Sequence, residues 1–239
     1  MKGTIYMIPC PIADAESVWE VLPKANLDII NSLDYFVVEN VRSARRFLSK
    51  AGIERKIDEL EFVELNEHTT SASDVERMLR PIVEGRSAGV ISEAGVPGVA
   101  DPGADVVAIA QRKGLKVVPL VGPSSIILSV MASGFNGQSF AFNGYLPIKS
   151  DERAKKLRQL EQRIYSEEQT QLFIETPYRN GKMLEDILAN CRPQTKLCIA
   201  ANLTCADEYV QTRTIKEWKG RVPDLSKVPC IFLLLMLKI

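Results

Sequence analysis

Three loops along the chain combine glycine, proline and small polar residues, and each follows a short apolar run. The longest reads Ser-Glu-Ala-Gly-Val-Pro-Gly-Val-Ala-Asp-Pro-Gly over residues 92–103. The other two are Val-Gly-Pro-Ser-Ser over residues 121–125 and Glu-Thr-Pro-Tyr-Arg over residues 175–179. Glycine lets the backbone approach a ligand closely, and the amide and hydroxyl groups at a helix start can hold polar ligand groups. Together the loops predict a ligand site, whereas each one alone is also explained by a tight strand-to-helix turn.

The longest loop is not a nucleotide-binding P-loop. No Gly-Lys-Ser/Thr closes it, and the chain contains no G-x-G-x-x-G fingerprint. Asp101 and Pro102 are expected to cap the helix that follows this loop. Ser124 or Ser125 is expected to cap the next one, since serine is a favoured N-cap residue.

Strand-like runs alternate with helical stretches along the chain. Each of the three loops therefore lies between a strand and the helix that follows it. The predicted strands of the first half lie at residues 4–8, 35–38, 61–65, 87–91 and 116–120. Such alternation predicts a mostly parallel sheet covered by helices on both faces. A polar break at residues 135–138 precedes a second α/β pattern. We therefore predict two α/β domains, residues 1–137 and 138–239. The ligand is expected in a cleft between them, at the carboxyl ends of strands.

Composition limits the class of protein. The hydrophobic content of 46% and the charged content of 25% are ordinary globular values. Thirty Lys and Arg against thirty Asp and Glu give a formal net charge of zero. That balance argues against a protein that binds nucleic acid through its overall charge. It does not exclude a local basic face that binds nucleic acid. The charged stretch 151–163 indicates a solvated helix face, with a nucleic-acid patch as the alternative.

Metal, disulfide and membrane chemistry are not indicated. The five cysteines form no C-x-x-C pair, and a single histidine leaves no zinc-type ligand set. The apolar run at residues 230–237 is far shorter than the roughly 20 residues that span a bilayer. Prolines 9 and 11 interrupt the N-terminal apolar run, which does not resemble a signal peptide. We expect a cytoplasmic protein with reduced thiols, no metal and no membrane contact.

A series of motifs runs in a fixed order along nearly the whole chain. After a Pro-Cys-Pro-Ile turn come SEAGVPGVADPG, VPLVGPSS, ASGF, FNGYLPIKSDER, FIETPYR and ANLTCADE. This order resembles the tetrapyrrole methylase superfamily, and within it the ribosomal small-subunit RNA cytidine 2'-O-ribose methyltransferases. The resemblance implies an S-adenosylmethionine-dependent methyltransferase that acts on ribosomal RNA or the small ribosomal subunit. It also implies a homodimer and no metal.

The resemblance further implies which residues hold the methyl donor, mainly through backbone groups at strand ends. Carried over position by position, they are Pro11, Glu93, Gly95, Val96, Pro97, Ser124, Ser125, Ile126, Phe173, Glu175, Thr176, Asn202, Leu203 and Thr204.

Several motif positions are altered. The family's Ala-Glu-Asp-Thr-Arg box is Val-Glu-Asn-Val-Arg at residues 38–42, and its His-Glu-His-Asn box is Asn-Glu-His-Thr at residues 66–69. Its Arg-Glu-Leu-Thr-Lys box is Ala-Asn-Leu-Thr-Cys at residues 201–205. Two alternatives therefore stay open: a methyltransferase for a tetrapyrrole or other small molecule, and a non-catalytic paralogue that only binds the donor.

Three residues are candidates for the chemistry at a ribose hydroxyl. Glu39 could serve as general base or orient the hydroxyl, and Arg42 could position a phosphate. The alternative for this pair is an ion pair at i and i+3 of a helix start. His68 is the only side chain whose unperturbed pKa lies near neutrality. The alternative for His68 is a surface residue, or one that supports the site without contacting the substrate.

Overall fold

The computed structural model describes residues 1–14, 17–65 and 71–236, with backbone only at Ala72. The chain divides into two compact units, Met1–Ser124 and Ser125–Ile239. Each unit contains its own five-stranded sheet and its own helices. The predicted α/β class is thereby confirmed.

The first unit is built on a parallel sheet. Its strands are β1 (Thr4–Ile8), β2 (Tyr35–Val38), β3 (Glu61–Glu64), β4 (Ala88–Ile91) and β5 (Lys116–Pro119). Their order is β3-β2-β4-β1-β5, and every pairing is parallel. All five carboxyl ends therefore lie at one edge of the sheet.

Helices cover both faces of this sheet. They are α1 (Ala25–Asn31), α2 (Val41–Ala51), α3 (Ala72–Val83) and α4 (Ala104–Arg112), with 3-10 turns at Val18–Glu20 and Ile57–Glu59. Successive strand residues point to opposite faces, so Val37 and Met7 join one buried cluster while Phe36 and Ile8 join the other. The 3-10 turn at Val18–Glu20 and helix α1 lie on either side of Pro23, whose ring nitrogen has no N–H to donate to a continuous helix.

The second unit has a mixed sheet. Its strands are β6 (Phe140–Tyr145), β7 (Thr170–Ile174), β8 (Lys196–Ala201), β9 (Tyr209–Thr214) and β10 (Cys230–Leu235), in the order β6-β7-β10-β8-β9. Only the β6–β7 pair is parallel. Because β10 runs antiparallel to both neighbours, β7 and β8 end at the same edge.

The helices of the second unit are α5 (Ser125–Ser133), α6 (Ser150–Glu167), α7 (Asn180–Asn190) and α8 (Ile215–Trp218), with a 3-10 turn at Pro177–Arg179. Helix α5 packs into the core of this unit through Ile126, Leu128 and Val130. The Thr212 hydroxyl also donates to the Ser133 carbonyl at 2.8 Å. The two units therefore divide before α5, whereas the sequence placed the domain boundary at the polar break after it.

Helix α6 carries one arginine that is not available to solvent. Arg153 is only 4% exposed and forms an ion pair with the buried Asp186 of α7. It also donates to the carbonyls of Pro147 at 3.1 Å and Ile148 at 2.6 Å. Arg153 thus ties α6 to α7 and to the loop after β6, so it does not belong to the solvated face expected for this stretch.

Within the described residues, no helix is both long enough and apolar enough to cross a membrane.

Candidate functional site

Three loops of the first unit meet at the carboxyl edge of its sheet. Cys10, after β1, and Gly95, after β4, exchange backbone hydrogen bonds of 2.8 Å and 3.1 Å. Gly122, after β5, lies so close to Pro9 that an added Cβ would be 2.2 Å from the proline ring. A Cβ added at Gly95 would face the Pro123 carbonyl at 3.6 Å. The predicted loops after β1, β4 and β5 are therefore parts of one surface.

The backbone of the loop after β4 depends on glycine. Gly95 has φ +69° and Gly103 has φ +122°, which is the left-handed region that other residues rarely adopt. Gly103 is the N-cap of α4, and no side chain caps that helix. The expectation that Asp101 and Pro102 cap α4 is therefore wrong, and the Asp101 side chain has another environment.

Three carboxylates, those of Glu39, Glu93 and Asp101, lie near one another at this edge. Glu39, after β2, accepts the Glu93 backbone N–H at 3.1 Å, and the Ser43 hydroxyl donates to the Glu93 carboxylate at 2.7 Å. Burial, followed by the negative charges of Glu39 and Glu93, raises the pKa of Asp101 to about 6, against a smaller opposing hydrogen bond from Ser92. Sequence reasoning missed Asp101 in this cluster, although it lies in the glycine-rich motif singled out there.

The structure describes two of the three candidate catalytic residues, Glu39 and Arg42, and places them in different surroundings. Glu39 lies in the carboxylate cluster and, among the described residues, forms no ion pair with Arg42. The Arg42 side chain is exposed near the start of α2. Asn40 caps that helix by accepting the backbone N–H groups of Arg42 at 2.9 Å and Ser43 at 3.1 Å. Asparagine caps about as well as aspartate, so the altered motif keeps this helix start. His68 lies outside the described residues.

A pocket of about 280 Å³ adjoins the cluster. Its walls are the loop after β1 at residues 10–14, one face of α2, and residues 92–94 at the end of β4. Pro11 and Glu93, both predicted donor ligands, line it. Cys10 also lines it, but burial and then the Asp101 charge raise the pKa of its thiol to about 12. Cys10 therefore remains a neutral thiol rather than a nucleophile.

A second cavity, of about 590 Å³, lies on the other side of the loop after β4. Val96, Pro97 and Val99 form one wall, and the apolar face of α4 and the end of β5 form the others. Two predicted donor ligands, Val96 and Pro97, thus face an apolar space, as the flat ring system of a nucleoside would require.

In the second unit, the predicted residues lie at the common edge of β7 and β8. Glu175 is 5% exposed, and its carboxylate accepts the Thr176 backbone N–H at 2.7 Å and pairs with Arg179 at 2.7 Å. Phe173 is fully buried, and its ring stacks on Phe232. Glu175 therefore shapes the loop after β7.

The loop after β8 is also sharply shaped. Asn202 has φ +48° and Thr204 has φ +70°, both unusual for residues other than glycine. The Thr204 backbone N–H donates to Glu208 at 2.8 Å, and the Asn202 amide donates to Asp207 at 2.7 Å. Backbone strain of this kind is concentrated at functional sites. Leu203, between them, is 8% exposed.

Two polar atoms at this edge are buried without a hydrogen-bond partner in the part of the chain that the structure describes. They are Arg179 Nε and Asn180 Oδ1. The amide nitrogen of Asn180 does donate, to the Val228 carbonyl at 2.6 Å. Buried polar atoms are normally satisfied, so these two mark a place where a ligand could supply the missing partner.

The chemistry of the first-unit loops suits a cation. The segments 9–14, 92–103 and 120–124 contain no lysine or arginine, and Glu39, Glu93 and Asp101 place negative charge beside them. Among the described residues, no group of three or more His, Cys, Asp or Glu is arranged to hold a metal ion.

The parallel sheet with converging strand-end loops defines an α/β protein of the small-ligand-binding class. The family model of the Tetrapyrrole (Corrin/Porphyrin) Methylases matches residues 5–219. The chain belongs to this family, and as a member it is an S-adenosylmethionine-dependent methyltransferase. The resemblance drawn from the motifs is thereby confirmed.

Individual relatives agree with this assignment. Over 213 residues the chain is 32% identical to "Ribosomal RNA small subunit methyltransferase I" of Vibrio cholerae, a match that covers 89% of this chain and 69% of the relative. The protein of the same name from Xylella fastidiosa is 30% identical over 222 residues, or 93% of this chain and 76% of the relative. The crystal structure of the methyltransferase CobJ has the same fold, with a TM-score of 0.62, 15% identity, and 98% of this chain and 94% of that chain covered.

Proposed function

We propose that the chain transfers a methyl group from S-adenosylmethionine to a ribose 2'-hydroxyl of small-subunit ribosomal RNA. The observation that carries this proposal is the likeness to proteins named for small-subunit ribosomal RNA methylation over about nine-tenths of the chain. The likeness to CobJ is one of fold and gives no reason to prefer a tetrapyrrole acceptor.

In the first unit, the donor would bind along the surface formed by the loops after β1, β4 and β5. Pro11, Glu93, Gly95, Val96 and Pro97 lie on these loops. A sulfonium cation is compatible with this surface because its loops carry no basic side chain and three carboxylates lie beside it. When bound, the donor supplies an electrophilic methyl group. The loops would hold it in line with the acceptor oxygen.

Further donor ligands are proposed from the family resemblance. Ser124, Ser125 and Ile126 lie at the start of α5, and Glu175, Thr176, Asn202 and Thr204 lie at the edge of the second sheet. The unpartnered Asn180 Oδ1 and Arg179 Nε support a ligand at that edge.

The carboxylate cluster can accept the proton that leaves the ribose hydroxyl. Glu39 is held beside the loop after β4 by its hydrogen bond from the Glu93 N–H. Burial and the nearby charge of Glu39 raise the pKa of Asp101 to about 6, so Asp101 lies within electrostatic range of Glu39. We propose that Glu39 orients the hydroxyl and that the proton passes to this pair of carboxylates. Arg42 would contact an RNA phosphate. A role for His68 and a homodimeric state remain predictions.

Donor binding is tested by calorimetric titration of S-adenosylhomocysteine and S-adenosylmethionine into the full chain. Val96→Trp should abolish binding by filling the cavity beside the loop after β4. Val222→Trp is the matched control, since Val222 is 53% exposed and far along the chain from these loops. If the parent chain binds neither molecule, the enzyme assignment is contradicted. If both variants bind equally well, the donor does not occupy the cavity beside the loop after β4.

The acceptor is tested by offering the donor with three substrates: unmodified small-subunit RNA, the assembled small subunit, and a tetrapyrrole. Methyl incorporation into RNA or subunit supports the proposal. Incorporation into the tetrapyrrole alone would replace it with small-molecule methylation. Donor binding without transfer to any of the three would favour a non-catalytic donor-binding protein.

A further inference from the structure

The pocket beside α2 is acidic at one end and basic at the other. The face of α2 that lines it carries Ser43, Arg46, Phe47 and Lys50, a spacing that keeps side chains on one side of a helix. Ser43 lies next to Glu93, to which its hydroxyl donates. Lys50 is about 10 Å further along the helix axis.

The two cations at the basic end are weakly neutralised. Arg46 is exposed and has no carboxylate within ion-pair distance among the described residues. Lys50 lies 3.9 Å from Asp14, whose side chain is fully exposed, and exposed pairs of this kind contribute little. The neighbouring Arg45 is different, because it pairs with Asp58 and lies over the Phe62 ring.

Charge at the two ends fits the two parts of a nucleotide unit. A sugar hydroxyl can donate to the carboxylates at the Glu93 end, whereas a phosphate would be repelled there. At the Arg46 and Lys50 end a phosphate is attracted. Arg42, one helical turn before Arg46, extends the same basic side of α2 beyond the pocket, as a continuing RNA strand requires.

We propose that Arg46 and Lys50 bind a phosphodiester of the RNA acceptor, so that the pocket holds one ribose-phosphate with its sugar toward Glu93. This inference rests on the proposed function, because it takes RNA to be the acceptor. It adds two binding residues and an orientation that the family motifs do not supply. The donor's own carboxylate is the competing anion for these cations, and the test separates the two.

The test measures RNA affinity as a function of salt for the double variant Arg46→Gln/Lys50→Gln. Each phosphate contact contributes about 0.7–0.9 to the slope of log K against log salt. Because both cations bind one phosphodiester, we expect a slope smaller by about 0.7–0.9, RNA binding at least tenfold weaker in low salt, and a raised KM for RNA. Affinity for S-adenosylhomocysteine should stay within twofold of the parent.

Two further variants keep the test specific. Arg77→Gln/Arg80→Gln removes two exposed arginines of α3, each in a local ion pair, and should leave the slope unchanged. Arg46→Lys/Lys50→Arg keeps both charges and should restore RNA binding, which excludes loss through misfolding.

The outcomes distinguish this inference from the proposed function. An Arg46→Gln/Lys50→Gln variant with the parent's slope, in a chain that methylates RNA, would overturn this inference alone. The same slope loss in the α3 variant, or loss of S-adenosylhomocysteine binding in place of RNA binding, would also overturn it. A parent chain that binds donor but no RNA would overturn both this inference and the RNA acceptor.

Discussion

Gly122 keeps the loops after β1 and β5 in contact, and alanine at this position should separate them. The Gly122 backbone is not left-handed, so alanine introduces a steric conflict and no backbone strain. Its Cβ would lie 2.2 Å and 2.3 Å from two ring carbons of Pro9. Ordinary contact begins at about 3.4 Å, so one loop must move by about 1.2 Å. Overpacking of this size costs about 1–3 kcal/mol, and a displacement of about 1 Å can lower a rate about 100-fold.

The assay is urea unfolding together with calorimetric donor binding. Gly122→Ala should lower the unfolding midpoint without changing the slope and should weaken S-adenosylhomocysteine binding. Gly181→Ala is the control, because Gly181 lies in α7 with no atom within 4 Å of the added carbon. That variant should be more stable by about 0.5–1 kcal/mol and bind normally. Parental stability and donor affinity in Gly122→Ala would refute the argument that the two loops form one surface.

Three other outcomes follow from the buried and titrating groups. Asp186→Asn should destabilise the second unit by about 3–5 kcal/mol because it leaves Arg153 buried without its charge partner; a loss below about 1 kcal/mol in urea would contradict this. Asp101→Asn should be more stable than the parent at pH 7.5 and lose that advantage as the pH falls through about 6, because burial and the Glu39 charge raise the pKa of Asp101. A stability difference between Asp101→Asn and the parent that does not change with pH would contradict the raised pKa of Asp101. Iodoacetamide at pH 8 should label Cys205 first, since it is the only cysteine that is not buried; peptide mass spectrometry that finds earlier labelling elsewhere would count against the packing.

The strand ends could be predicted from sequence because apolar runs and glycine-rich loops are local signals. The strands β1 and β2 begin and end where the patterns placed them. The convergence of the loops after β1 and β4 followed from the parallel sheet, because the carboxyl ends of parallel strands share an edge. The motif order then identified the family over nearly the whole chain.

Other features depend on contacts that local patterns do not contain. Arg153 lies in a stretch of charges, and its burial follows from Asp186, which is distant in sequence. From sequence, Asp101 was predicted to cap α4. Its position near Glu39 and Glu93 depends on the packing of the strand ends, which the local pattern does not contain. Helix α5 precedes the polar break in sequence, yet its apolar face packs against the second sheet. The donor-binding positions, Phe173 among them, came from the family motifs, and local patterns do not show that Phe173 is fully buried.

The central claim is methylation of a ribose in small-subunit RNA at the carboxylate-lined edge of the first sheet. The most direct measurement is mass spectrometric mapping of the product after incubating unmodified small-subunit RNA with the chain and S-adenosylmethionine. We expect one 2'-O-methylated nucleotide, formed much more slowly by Glu39→Gln and at the parental rate by Glu76→Gln, which changes an exposed carboxylate of α3. A methyl group on a base, or equal rates for the two variants, would contradict the account.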